Sequence, residues 1–296
     1  MHTIFVSIAA YRDPETFPTL VDLFDKAEYP EDIIAGVLCQ VKEGDDPVFT
    51  QIPEQWKDNI RHKVVPAEES NGVCWARSRI LSELRGAEKF VLQIDSHTRF
   101  ERNWDTKLLS QLARCESPKP ILSSFPPVYT PVGLGDKMYS HMTKRLTVRD
   151  DLPAFCSFAH DYASRPRKPV PQIGLAAGLL FAPARAFDEV PYDPNIYFQG
   201  EEFTLALRLF THGWDIFHQC DVVIYHMYRD GGEDKFVPRT LHFQDHPQWI
   251  EKQKNSVARG RALMGGKLEG VYGLGNVRPV GAYIRHVENA IEAFGL

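Results

Sequence analysis

Apolar and polar positions run along the chain in blocks whose period keeps changing. Thr3 to Ala10 is a largely apolar run rich in β-branched and aromatic residues, which predicts a buried strand; it ends in the polar turn Tyr11-Arg12-Asp13-Pro14-Glu15. Thr16 to Ala27 then places Phe17, Leu20, Leu23 and Phe24 at helical spacing, and Ile33 to Val41 reads as a strand again. A further cycle follows, with Val73, Ala76, Ile80, Leu81 and Leu84 along a helix over Val73 to Leu84 and a strand over Lys89 to Ile94. Trp104 to Ala113 predicts a helix and Pro120 to Phe125 a strand. This alternation is the pattern of an α/β chain with a parallel sheet covered by helices.

From Pro126 to Gln172 the pattern weakens into Pro, Gly, Arg and Lys, so residues 126–172 read as a long excursion with an antiparallel strand around Pro153 to His160. Unbroken stretches of that length in compact domains usually carry function. Order returns at the small, apolar Ile173 to Phe181, at a helical face made by Leu205, Leu209 and Phe210, and at a strand running from Asp215 to Tyr225-His226. Met227 to His246 is rich in charge and histidine, Pro247 to Gly265 predicts one helix, and Gly281 to Phe294 predicts a C-terminal helix. No internal repeat, low-complexity tract or clear linker divides the chain. The expected organisation is a catalytic domain over residues 1–246 and a helical extension over 247–296 packed on it.

Composition narrows the function classes. At 296 residues, with 43% hydrophobic and 25% charged residues, the chain has the profile of a soluble globular protein. The formal charge of -5 argues against a nucleic-acid or anionic-membrane surface as the main partner. No apolar run reaches the roughly 18 residues of a membrane span, and the start meets Arg12, Asp13 and Glu15 too soon for one. The start also lacks the basic n-region and small-residue cleavage site of a secretory signal, so a cytoplasmic protein is expected. Cys39, Cys74, Cys115, Cys156 and Cys220 are odd in number and widely spaced, which predicts free thiols.

The candidate chemistry lies at strand ends. Asp95-Ser96-His97 follows the strand ending at Ile94, where open α/β sheets bind ligands. Residues two apart project to one side, so Asp95 and His97 can reach one ion, and a carboxylate with an imidazole suits Mn²⁺ or Mg²⁺. An N-cap Asp beside a surface His is the plain alternative. His226, at the end of a later strand, is a third ligand or a satisfied edge histidine. Arg77, near a helix start, suits a phosphate, a carboxylate or an ion pair within its helix. Glu201 and Glu202 follow Gly200 at the start of another helix, as capping charges or as paired carboxylates for sugar hydroxyls and protons.

Taken in order, Asn71-Gly72-Val73-Cys74-Trp75-Ala76-Arg77, Phe90-Val91-Leu92-Gln93-Ile94-Asp95-Ser96-His97, Trp104, Leu108-Leu109, Ala177-Gly178-Leu179-Leu180-Phe181, Tyr192-Asp193, Gly200-Glu201-Glu202, Leu205, Arg208 and Tyr225-His226-Met227-Tyr228-Arg229 resemble the GT-A glycosyltransferases of the polypeptide N-acetylgalactosaminyltransferase type. The opening Ile4 to Glu15 and the tail Gly273-Leu274-Gly275-Asn276-Val277-Arg278 are similar to the cytoplasmic hydroxyproline-polypeptide N-acetylglucosaminyltransferases. The resemblance implies a GT-A, Rossmann-like mixed sheet flanked by helices and a retaining, metal-dependent transfer of GlcNAc from UDP-GlcNAc to a hydroxyl. The acceptor would be a hydroxyproline polypeptide or another glycan. Asp95, His97 and His226 would hold Mn²⁺ (or Mg²⁺); Arg77, Ser96 and Arg229 would border the phosphates; Ala9, Tyr11 and Arg12 would line the uridine pocket. Ala177, Gly178, Glu201 and Glu202 would face the sugar, with Asp95, Glu201 and Glu202 as the catalytic carboxylates. Two departures stand out. Gln40 occupies the place of an acidic uracil contact, and Glu201-Glu202 replaces a Glu-Asn pair, which leaves the roles of the two carboxylates undivided.

Overall fold

The computed structural model describes residues 3–45, 52–130, 133–149, 152–228 and 238–285. The first half contains β1 (Ile4–Tyr11), α1 (Thr16–Lys26), β2 (Ile33–Val41), β3 (Ile60–Pro66), α2 (Val73–Glu83), β4 (Phe90–Asp95), β5 (Thr98–Phe100), α3 (Trp104–Ala113) and β6 (Pro120–Ser123). Two short strands, β7 (Tyr129–Thr130) and β8 (Gly133–Leu134), lead into a long ribbon of β9 (Met138–Arg149) and β10 (Leu152–Asp161). After β11 (Val170–Pro171) come β12 (Leu179–Pro183), α4 (Arg185–Glu189), α5 (Glu201–Thr211), β13 (Asp215–His218), β14 (Ile224–His226), α6 (Pro238–Asp245) and α7 (Trp249–Met264).

Eight strands form one mixed sheet in the order β11-β13-β6-β12-β4-β1-β2-β3. The run from β4 through β1 and β2 to β3 is parallel, and β12 enters antiparallel between β4 and β6. The period-two alternation of β1 explains how one strand serves two layers. Phe5 faces the core built with α2 and α5, whereas Val6 and Ile8 face the core built with α1 and α3. Phe5 also needs Gly36 on β2, because a Cβ there would lie 2.1 Å from the ring's Cζ. Trp104, fully buried, donates its Nε1 hydrogen to the Leu23 carbonyl at 2.9 Å and so locks α3 on α1.

Several expectations from the pattern shift. The strand expected from Asp215 to His226 is two strands, since the backbone N–H groups of Cys220 and Asp221 both turn to the Gln111 Oε1 on α3 instead of a neighbouring strand. In the excursion, the expected strand near Pro153 is β10, and it pairs antiparallel with β9. β3 and α6 carry too much charge and histidine to show as apolar runs. The expected C-terminal helix is present over 280–285, and its remainder lies outside the described residues. From the C-terminal region, Ser256 accepts the Tyr197 N–H at 2.6 Å, and the Tyr283 hydroxyl donates to the Ile173 carbonyl at 2.8 Å. All five cysteines are free. Among the described residues, no helix is long and apolar enough to cross a membrane.

Candidate active site

β4 ends at Asp95, and the two-residue turn Ser96-His97 returns the chain into β5. β5 pairs antiparallel with β14 in a register that sets His226 opposite Thr98. Two segments about 130 residues apart in sequence thereby deliver one carboxylate and two imidazoles to one point, and their ligand atoms lie within 4.8 Å of one another. Thr19 on α1 clamps the turn from behind, its hydroxyl 2.8 Å from the Ser96 carbonyl and accepting the Thr98 N–H at 2.9 Å.

Each of the three groups is oriented by a neighbour. Asp13, buried in the loop after β1, accepts from His97 Nδ1 at 2.7 Å and from the Ser96 hydroxyl at 2.5 Å. That contact leaves His97 Nε2 for another ligand. His226 Nε2 lies 2.9 Å from Asp95 Oδ2, while its buried Nδ1 has no partner. Asp95 Oδ1 takes a hydrogen bond from Arg77 Nη2 at 2.7 Å. Burial would raise the Asp95 carboxyl, but the His226 hydrogen bond and the Arg77 charge outweigh it and hold the group well below the ordinary carboxylate range. Burial likewise would lower His97, and the Asp13 bond and charge reverse the sign, whereas in His226 burial wins and favours the neutral ring.

The carboxylates behind this cluster have different surroundings. Arg77 is only 2% exposed, and its guanidinium bridges Asp95 and Glu201 while also reaching the Ala177 carbonyl at 3.3 Å. Arg77, expected at the phosphates, is thus clamped between two acids and also lines the cavity that opens over them. Glu202 accepts the Ala177 N–H at 2.9 Å, and burial pushes its carboxyl up to about 7, with the Glu201 charge adding to the rise. Gly178 packs directly on the cluster: a Cβ there would sit 3.3 Å from Asp95 Oδ2.

A cavity of about 640 Å³ opens over these groups. Asp95, Ser96, His97, His226, Arg77, Ala177, Gly178, Glu201 and Glu202 line one part of it, and Ala9, Tyr11 and Gln40 line another. Arg12 stands outside the lining, in the left-handed region at φ 49, paired with Asp45 and Asp245 at 2.9 Å each. Arg229 lies outside the described residues. Among the described residues, the expected ones thus line one cavity, apart from Arg12. The pattern missed Asp13, Ser70, Tyr197 and His242, whose contacts are long-range; the only signal was the polar turn containing Asp13 at a strand end.

The sequence profile described as Glycosyltransferase (GlcNAc) matches residues 3–55 and 48–293. A search of curated proteins gave no significant match. Among solved structures, GalNAc-T7 with UDP, GalNAc and Mn²⁺ superposes with a TM-score of 0.59 at 13% identity, covering 97% of this chain and 55% of that one. This chain therefore spans little more than half of that protein. S. aureus TarS 1-349 in complex with UDP-GlcNAc gives a TM-score of 0.50 at 15% identity, covering 98% of this chain and 83% of that one. At such identities the likeness is one of fold.

Proposed function

The chain belongs to the GlcNAc glycosyltransferase family and has the GT-A fold, and on that premise we propose that it transfers GlcNAc from UDP-GlcNAc to a hydroxyl with retention at the anomeric carbon, using Mn²⁺ or Mg²⁺. The observation that carries this reading is the meeting of Asp95, His97 and His226 at the carboxyl end of the sheet. These residues fit such an ion: one oxygen and two nitrogen donors suit Mn²⁺ better than a thiolate-seeking metal, and the neutral His226 ring keeps a lone pair available. Bound there, the ion supplies positive charge where negative charge grows on the leaving diphosphate.

The protein's own groups do the rest. Asp13 fixes the His97 ring, and Arg77 holds Asp95 and Glu201 in place. Ala9, Tyr11 and Gln40 receive the uridine, and Gly178, having no side chain, lets the sugar approach Asp95. Glu201, 6% exposed and tied to Arg77, is poorly placed to form a covalent sugar bond. This favours attack by the acceptor oxygen on the face the diphosphate leaves, its proton passing to the departing phosphate oxygen. Pro153 to Cys156, within the 126–172 excursion, stand in the cavity wall and mark the acceptor side, and the described part of 247–296 braces the catalytic domain of residues 1–246 through Ser256 and Tyr283. The acceptor class we propose is a hydroxyproline-containing polypeptide.

The test is UDP-GlcNAc turnover with and without Mn²⁺, read by mass spectrometry on a hydroxyproline peptide and on carbohydrate acceptors. Asp95→Ala and His226→Ala are each expected to lower metal-dependent turnover by about 100-fold or more, since each removes a first ligand. Undiminished turnover in both variants overturns the metal assignment, and transfer to carbohydrate alone overturns the polypeptide.

A further inference from the structure

The loop that leads into α5 is held from behind by helix α7. Gln253, 7% exposed, accepts the Gln199 N–H on its Oε1 at 3.0 Å and donates from its Nε2 to the Gln199 carbonyl at 3.3 Å. One helical turn on, Ser256 accepts the Tyr197 N–H. Both main-chain groups of Gln199 are thereby turned toward α7 and satisfied, so what this residue has left to offer the cavity it lines is its side chain. Gly200, at φ 96, then turns the chain directly into Glu201 and Glu202. Gln199 is partly buried, and among the described residues its side-chain amide has no hydrogen-bond partner.

The groups around it are short of donors. Asp95, Glu201 and Glu202 line this part of the cavity, and beside a divalent cation all three carboxylates are acceptors. The N–H and O–H groups among them are already committed. The Arg77 fork is shared by Asp95, Glu201 and the Ala177 carbonyl, and the Ala177 N–H goes to Glu202. Ser96 donates its hydroxyl to Asp13 at 2.5 Å, and Tyr228 donates its own to the Pro126 carbonyl at 2.8 Å. The side-chain N–H groups of Gln199 carry no such commitment.

We propose that Gln199 is the specificity-determining residue for the transferred sugar, its side-chain N–H donating to the acetamido carbonyl of the donor. This rests on the reading that the donor is UDP-GlcNAc with its sugar against Gly178, Glu201 and Glu202. A hydroxyl in the acetamido position carries its own proton and is satisfied by a neighbouring carboxylate. A carbonyl has only lone pairs, which carboxylates repel, so an acetamido sugar needs an N–H that is not already in use. Gln199 supplies it without adding charge, from a main chain that Gln253 holds still.

The experiment measures the affinities of UDP-GlcNAc, UDP-glucose and UDP by calorimetry with Mn²⁺ in the intact chain, in Gln199→Met and in Gln199→Glu. Both variants keep the length of the side chain and remove its N–H groups. The wild type is expected to prefer UDP-GlcNAc to UDP-glucose. Each variant is expected to cut that preference by about tenfold, the worth of one hydrogen bond to an otherwise unpaired carbonyl, with UDP itself bound by Gln199→Met as by the wild type. A wild type that binds no nucleotide overturns the donor site, and one that binds the two sugar nucleotides alike overturns the choice of sugar; the role of Gln199 falls with either. A wild type that prefers UDP-GlcNAc, with the same ratio kept in Gln199→Met, overturns the role of Gln199 alone. A ratio lost in Gln199→Met and kept in Gln199→Glu overturns the N–H as the group that reads the sugar. Equal weakening of all three ligands, which is what a merely structural role would produce, overturns the proposal as well.

Discussion

Asp13 is 5% exposed, and its single Oδ2 serves both His97 Nδ1 and the Ser96 hydroxyl. A carboxylate in that position does two things for the imidazole: it selects the tautomer with the proton on Nδ1, and its charge makes Nε2 a stronger donor to a metal. Asp13→Asn keeps the shape but removes the charge and turns part of the acceptor into an N–H donor. Mn²⁺ affinity is therefore expected to fall by about 10- to 100-fold, the usual effect of losing a ligand's supporting carboxylate. Mn²⁺ titration at saturating UDP measures it. Affinity within twofold of wild type would mean that His97 is oriented by the backbone turn alone. Gly178 is the complementary case, a residue whose contribution is the space it leaves beside Asp95.

Elements differ in how far the sequence alone reveals them, and the cause is burial. β1, β2 and α3 fall where the apolar pattern puts them, because each is sealed on both faces or along one clear stripe. β3 is an edge strand whose centre, Arg61-His62-Lys63, is polar, and its two buried side chains, Ile60 and Val65, point to opposite cores, so no alternating apolar face marks it. The same limit applies to the site. Asp95 and His97 are legible from their spacing and His226 from its strand end, but Asp13 and His242 act through partners 84 and 172 positions away. The β9–β10 ribbon shows how an element lacking its own core is attached. Leu152, 1% exposed, inserts at two glycines, since a Cβ at Gly200 would lie 2.6 Å from its Cδ1 and one at Gly260 2.9 Å from its Cδ2. Leu152→Ala is expected to cost about 2–4 kcal/mol. Hydrogen exchange should locate the loss, with faster exchange over 152–161 and little change in β1 and β2. Acceleration spread evenly through the sheet would refute the ribbon's separate attachment.

At the scale of the whole molecule, an acidic protein of charge -5 concentrates Asp95, Glu201 and Glu202 around the buried guanidinium of Arg77. Arg77 pairs with Asp95 and Glu201, and Glu202 is left with a backbone N–H, so burial carries its carboxyl from an ordinary 4.5 up to about 7. A raised carboxyl makes the folded state the better proton acceptor between those two values. Its contribution to stability is then fully present below pH 4.5 and is lost as pH rises through 7. In EDTA, Glu202→Gln and the wild type should unfold alike near pH 5. By pH 8 the variant should be more stable, by at most about 3 kcal/mol. Urea denaturation across that range measures the divergence, and parallel curves would show that Glu202 is not held protonated. Added Mn²⁺ should narrow the gap at pH 8, because a cation beside Asp95 favours the ionised Glu202 that burial disfavours. The same accumulation of acid that weakens the fold at alkaline pH is thus expected to turn into a gain in stability when a cation is added.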